Sequence, residues 1–155
     1  MYYYLYGGVM YQRILVPVDG SATSGRAVAE AIKFAQQHKA CVEVVHVLEE
    51  IGYFDEENYL NYAELADSLK RSGEKILADA QMKLKQAGVP VETKLLEANG
   101  ERVAHVITAE AKNAQVDLII VGTHGRSGFS RMLLGSVAEG VVRTADIPIL
   151  LIRGG

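Results

Sequence analysis

The reading of this chain turns on Val116-Asp117-Leu118-Ile119-Ile120-Val121, followed by Gly122-Thr123-His124-Gly125-Arg126-Ser127-Gly128-Phe129-Ser130-Arg131-Met132-Leu133-Leu134-Gly135-Ser136. The first six residues form an apolar run with the length of a buried strand. The glycines then fall in a fixed rhythm: Gly122, two residues, Gly125, nine residues, Gly135-Ser136. Such a stretch suits a polyphosphate. Glycine lets a ligand approach the backbone closely, and Arg126 and Arg131 bring charge in forked donors. A helix is expected to begin at Gly135-Ser136. Its first N–H groups lack partners within the helix and point, with the positive end of its dipole, toward an anion.

Working outward, strand and helix alternate. Ile14 to Val18 is a short apolar run closed by Asp19-Gly20, a turn signal. Val28, Ala31, Ile32 and Ala35 recur at i, i+3, i+4 and i+7, the stripe of an amphipathic helix. Val42 to Leu48 is rich in β-branched residues and predicts a second strand. Residues 49–62 mix Glu49, Glu50, Asp55, Glu56 and Glu57 with Tyr53, Phe54, Tyr59 and Tyr62, which reads as a surface loop or a lid. Leu65, Leu69, Ile76, Ala80 and Leu84 keep a long helical rhythm that Gly88 and Pro90 stop. Val91 to Glu97 is a third strand. Val103, Val106, Ile107 and Ala111 mark a third helix. Val116 to Val121 is the fourth strand, Ser136 to Thr144 the last helix and Ile147 to Ile152 the fifth strand. The pattern is that of an α/β protein with an open parallel sheet covered by helices on both faces, Rossmann-like in plan. Ligands in such sheets bind beyond the carboxyl ends of the strands, where strand order reverses. The loops at Pro17 to Ser21 and after Val121 both lie at such ends.

Composition narrows the function classes. The chain has 155 residues, 49% hydrophobic and 23% charged, with a net charge of −3. That balance suits one globular domain over residues 10–155 and provides no basic field for nucleic acid. No apolar run has the length of a membrane span. The lone cysteine, Cys41, is expected as a small core residue at a strand start and fits the reducing cytoplasm. Residues 1–9, rich in tyrosine, make a poor signal peptide and are set apart as an extension, disordered or lying on a second subunit.

Three features together resemble the universal stress protein family, in particular its ATP-binding branch: Ile14-Leu15-Val16-Pro17-Val18-Asp19-Gly20-Ser21, Val44-Val45-His46-Val47, and the glycine loop at the family spacing. The resemblance runs from about Tyr11 to Arg153. It implies a five-stranded sheet in the order 3-2-1-4-5 with ATP, ADP or AMP across the junction of strands one and four. It also implies a homodimer made through the C-terminal strand, 147–152. Pro17, Val18 and Asp19 would line the nucleoside pocket, and the backbone of Val47 would read the adenine edge.

Each residue of the glycine loop has a plainer reading beside this one. Gly122 is either room for ribose or a tight turn. Gly125 and Gly135 would donate backbone N–H groups to phosphate, with Val137 N–H aimed at the same anion. Ser136 could touch phosphate or cap the helix in a capping box with Glu139. Arg126 is a phosphate contact or ordinary surface charge. His124 reads as a loop side chain near phosphate, and Asp19 as either a nucleoside ligand or a turn former with Ser21 and Ser24. His46 reads as structural. No catalytic residue is assigned. His38, His46, His105 and His124 lack metal-ligand spacing, and because no dedicated carboxylate cage is visible, Mg²⁺ or Mn²⁺ would be held through the phosphates and water. The expected function is a nucleotide-dependent regulatory or stress-response module. A slow ATPase or nucleotidyl-transfer enzyme is the alternative, weakened by the absence of a Walker-type loop and of a group to orient water.

Overall fold

The alternating apolar segments become five parallel strands in a computed structural model that describes residues 10–52, 59–124 and 134–154. In chain order the elements are β1 (Arg13–Pro17), α1 (Ala22–His38), β2 (Cys41–Leu48), α2 (Tyr59–Gln86), β3 (Val91–Glu97), α3 (Val103–Asn113), β4 (Leu118–Gly122), α4 (Ser136–Thr144) and β5 (Ile149–Ile152). The sheet order is β3-β2-β1-β4-β5, as the family resemblance implies. Residues 1–9, residues 53–58 and most of the glycine loop, including Gly125, Arg126 and Arg131, lie outside the described residues.

Successive strand residues face opposite layers, which gives the protein two cores. Ile14, Val16, Val42, Val44, Leu118 and Ile120 are buried with α1 and α2. Leu15, Val45, Ile119 and Val121 are buried with α3 and α4. Ser21 starts α1 by accepting the Ser24 N–H at 3.1 Å. Gly88, at φ +74°, ends α2 by a left-handed turn that favours glycine.

β1 and β4 are clamped together at their amino ends and cease to pair toward their carboxyl ends. The Asp117 carboxylate accepts the N–H groups of Gln12 at 2.9 Å and Arg13 at 3.2 Å. Register pairs Ile14 with Leu118 and Leu15 with Ile119, and stops there. Beyond that point β1 stays with β2 as far as Pro17 opposite Val45. β4 stays with β5 as far as Gly122 opposite Ile152.

Several expectations shift. Val116 and Ile147 precede their strands rather than opening them. Leu65 and Leu69 keep the helical spacing but are 42% and 37% exposed. A 28-residue helix is about 42 Å long, whereas the seven- and eight-residue strands beneath it span about 25 Å. The first half of α2 therefore outruns the sheet. Cys41 is half-buried rather than core, its Sγ 3.5 Å from the Gln12 carbonyl oxygen.

One buried charge was not anticipated from the sequence. Glu43 is 1% exposed on β2. Arg13 Nη2 lies 3.2 Å from Glu43 Oε2 and 3.1 Å from Glu92 Oε2, and Lys94 Nζ lies 3.7 Å from Glu43 Oε1 while pairing with Glu110. Glu43 Oε1 and Arg13 Nε are buried without a hydrogen-bond partner. Burial pushes the Glu43 carboxyl up, and Glu110 reinforces the shift, against the pull of Arg13 and Lys94. A raised carboxyl binds more protons in the folded chain than in the unfolded one, so its contribution falls as pH rises from the ordinary glutamate range through the raised value. We expect Glu43→Gln to remove that fall. Thermal melts across a pH series should show wild type losing stability relative to the variant as pH rises. A difference that stays flat or grows in the wild type's favour would contradict the raised carboxyl.

Candidate functional site

At the fork between β1 and β4 a crevice of about 520 Å³ opens, within the range of small-molecule sites. Pro17, Val18, Asp19, Val47, Gly122, His124, Gly135, Ser136 and Val137 all line it. Gly125 and Arg126 lie outside the described residues. Two loops more than a hundred residues apart in sequence thus face one space, as strand adjacency at the switch point requires.

The strand ends supply an apolar wall of Val45, Val47 and Val121, to which α3 adds Val103 and Ile107. Leu69 and Ser72 bring the projecting part of α2 to the rim. Residues from α2 and α3 were not predicted for the site. Val103 and Ile107 carry the same apolar signal as any helix face, and only packing places them at the crevice. Glu49 and Glu50 also reach it, beyond the end of β2.

The start of α4 lines the crevice as well. Its N-cap is Gly135, at φ −60° and ψ 155°, and the Gly135 carbonyl accepts the Glu139 N–H at 2.9 Å. Ser136 is therefore the first helical residue and not the cap. The capping box with Glu139 does not form; Glu139 instead pairs with Arg143 at 2.8 Å. Nor does Gly135 keep a spare donor, because its N–H is given to the Thr123 carbonyl at 2.7 Å. That bond brings the far end of the glycine loop back to the end of β4. The amides of Ser136, Val137 and Ala138 are first-turn donors with no carbonyl to meet inside the helix. All three residues line the crevice. Among the described residues, the Ser136 hydroxyl makes no hydrogen bond.

Gly122 has a packing reason that neither sequence reading included. A Cβ there would lie 2.7 Å from Thr23 Cγ2 and 3.3 Å from the Thr23 backbone carbon. The missing side chain lets α1 approach the end of β4. Asp19 forms the anticipated turn: its Oδ1 accepts the Ser21 N–H at 2.9 Å while the residue lines the crevice. His124 Nδ1 lies 2.8 Å from the Thr123 hydroxyl oxygen. His46 Nδ1 lies 2.7 Å from the Val18 carbonyl oxygen, which can only accept, so this nitrogen carries the proton. The other side of the ring packs on Gly73, where a Cβ would come within 2.7 Å of His46 Cδ2. His46 thus fixes the backbone just before Asp19.

A fork at the switch point, a strand-end aspartate and a helix start face one another across this crevice, and comparison with known proteins then gives the family. The universal stress protein family model matches residues 10–153. The chain belongs to the universal stress protein family. Among its relatives is "Universal stress protein YxiE" of Bacillus subtilis, 36% identical over 154 residues, covering 93% of this chain and all of that one. The solved structure of universal stress protein UspA from Lactobacillus plantarum superposes with a TM-score of 0.81 at 27% identity, covering 92% of this chain and 98% of that chain. The universal stress protein from Archaeoglobus fulgidus, solved in complex with dAMP, has a TM-score of 0.64 at 26% identity, covering 92% and 98%. Among the described residues of this family member, no group of three His, Cys, Asp or Glu side chains is placed to hold a metal ion. No described helix is long and apolar enough to cross a membrane.

Because Thr23 fills the space above Gly122, Gly122→Ala should overpack the α1–β4 contact. We expect a loss of about 1–3 kcal/mol, typical of an added methyl in a full core. Denaturant titration would read it as a lower midpoint at unchanged slope, and an unaltered midpoint would mean that α1 can simply move away.

Proposed function

We propose that this universal stress protein binds ATP, or AMP and ADP, in the β1–β4 crevice, and that the nucleotide acts as a regulatory ligand. The observation that carries the reading is the first turn of α4. Ser136, Val137 and Ala138, whose first-turn amides have no partner inside the helix, line a crevice that also carries apolar side chains from β2, β4 and α3. Such amides suit phosphate oxygens, and an apolar wall suits a base. The dAMP complex of the Archaeoglobus fulgidus relative supports the same ligand class.

In this reading adenine lies against Pro17, Val18 and the backbone of Val47, and the ribose lies beside Asp19 and Gly122. The phosphates meet the Ser136 and Val137 amides, and His124, Gly125 and Arg126 complete their cradle from the glycine loop. Mg²⁺ or Mn²⁺ would be carried by phosphate oxygens and water. The first-turn amides supply charge retention, which is the chemistry this reading assigns to the crevice. A bound nucleotide changes the protein's behaviour to the extent that it favours one of two states.

The second state is assembly as a cytoplasmic homodimer. β5 is an edge strand whose four residues are only partly buried. Thr123 N–H donates to the Ile152 carbonyl at 2.8 Å, so Ile152 turns its backbone inward and Leu151 turns its own outward. An outward row of unpaired groups favours strand addition by a second copy.

Protein purified without added nucleotide, then denatured, should release an adenine nucleotide to the supernatant. Absence of both release and a thermal shift with Mg-ATP would defeat the reading. Ser136→Pro gives a sharper test, because proline suits the first helical position and Gly135 already has the extended ψ that precedes proline. The variant should fold normally and lose ATP affinity by about ten- to a hundredfold, the cost of one charge-assisted hydrogen bond. For assembly, Leu151→Pro removes an outward N–H from the edge, together with a side chain packed on the α3–α4 core, so a thermal melt is run beside it to show that the variant still folds. Sedimentation should then show monomer in place of dimer.

A further inference from the structure

The geometry points to Pro17 as the residue that opens the crevice, by withholding the hydrogen bond that would close β1 onto β4. The inference rests on the nucleotide reading above and assigns the opening of that site to one side chain.

The direction of each amide follows from strand parity, because successive residues turn their N–H and C=O groups to opposite neighbours. Val18 N–H donates to the Val45 carbonyl at 2.9 Å, and the Gln12 carbonyl accepts the Cys41 N–H at 2.9 Å. Even-numbered residues of this segment therefore face β2. Arg13, Leu15 and Pro17 face β4, and the Arg13 carbonyl accepts the Asp117 N–H at 2.9 Å. On β4, Ile119 N–H donates to the Pro148 carbonyl at 3.1 Å and Thr123 N–H to the Ile152 carbonyl at 2.8 Å. Within β4, from Leu118 on, the odd-numbered residues thus face β5, and Leu118, Ile120 and Gly122 face β1, while Asp117 precedes the strand and lies outside this alternation.

With Leu15 opposite Ile119, the next rung of the ladder runs from the N–H of residue 17 to the carbonyl of Ile120. Proline has no N–H. Pairing ends where that rung falls due, although both strands continue with their outer neighbours. The β2 side is unaffected, because residue 17 turns away from it. A proline inside a central strand is otherwise disfavoured. Here it stands at the switch point, on the side where a missing donor separates two strands, and its ring lines the crevice that results with Val121 and Gly122.

The test compares full-length wild type with Pro17→Ala and Pro17→Val, the second keeping a strand-forming side chain if the first folds poorly. Hydrogen exchange by NMR reads the new amide at residue 17, and calorimetry reads ATP and AMP affinity. The expected result is an amide protected as strongly as that of Leu15, together with an affinity loss of about tenfold or more. Exchange at the rate of an exposed amide would overturn the role of Pro17, since the strands would then part for another reason, such as sheet twist. A protected amide with wild-type affinity would overturn it equally, by showing that the rung can form without closing the site. Wild type that binds no adenine nucleotide would defeat the functional reading alone. The amide at residue 17 would still decide whether proline holds the strands apart.

Discussion

The incomplete pairing of β1 with β4 is the constraint on which the rest of the structure depends. These central strands join the two halves of the sheet, yet they share only the Ile14–Leu118 and Leu15–Ile119 pairs. At the amino ends the Asp117 carboxylate binds two β1 amides and fixes the register. At the carboxyl ends each strand leaves with its outer partner. A sheet that is firm at one end and open at the other has a crevice without breaking its core. The buried side chains on both faces, from Ile14 and Ile120 to Leu15 and Ile119, remain closely packed below it.

Polarity is divided along the same axis. The end of the sheet away from the crevice carries Glu43 with Arg13, Lys94, Glu92 and Glu110, side chains that link β1, β2, β3 and α3. A buried carboxylate with an oxygen that accepts no hydrogen bond is a costly way to hold strands together and adds little net stability. The crevice end uses backbone dipoles instead. The first turn of α4 presents N–H groups that need no desolvated side chain to remain charged, so an anion can be received without a standing penalty in its absence. The Gly135 N–H, at the start of α4, donates to the Thr123 carbonyl just past β4.

The glycine signature shows how far a motif can be read. Its spacing located a helix start and a strand end correctly, and those positions face the crevice together. The roles within it were less legible. Gly122 serves the approach of Thr23 on α1, and Gly135 caps a helix and donates to Thr123, where sequence had offered ribose space and a phosphate donor. Both are cases in which a missing side chain has more than one use, and only the neighbour decides which. Ser136 followed the opposite course. Its capping-box pattern was a sound local signal, but the helix began one residue earlier and released the hydroxyl.

The sequence by itself determined the α/β class, the succession of elements and the two loops of chemical interest. Apolar periodicity and turn residues act over a few positions, and no distant contact is needed to express them. Resemblance to the family then supplied the strand order. Tertiary structure alone decided what depends on neighbours far apart in the chain. It buried Glu43 among partners from three other elements and left Leu65 and Leu69 exposed on a helix longer than its sheet. It also turned the missing N–H of Pro17 toward β4 rather than β2. Direction across a sheet is a property of the paired strands, and one strand's sequence does not contain it.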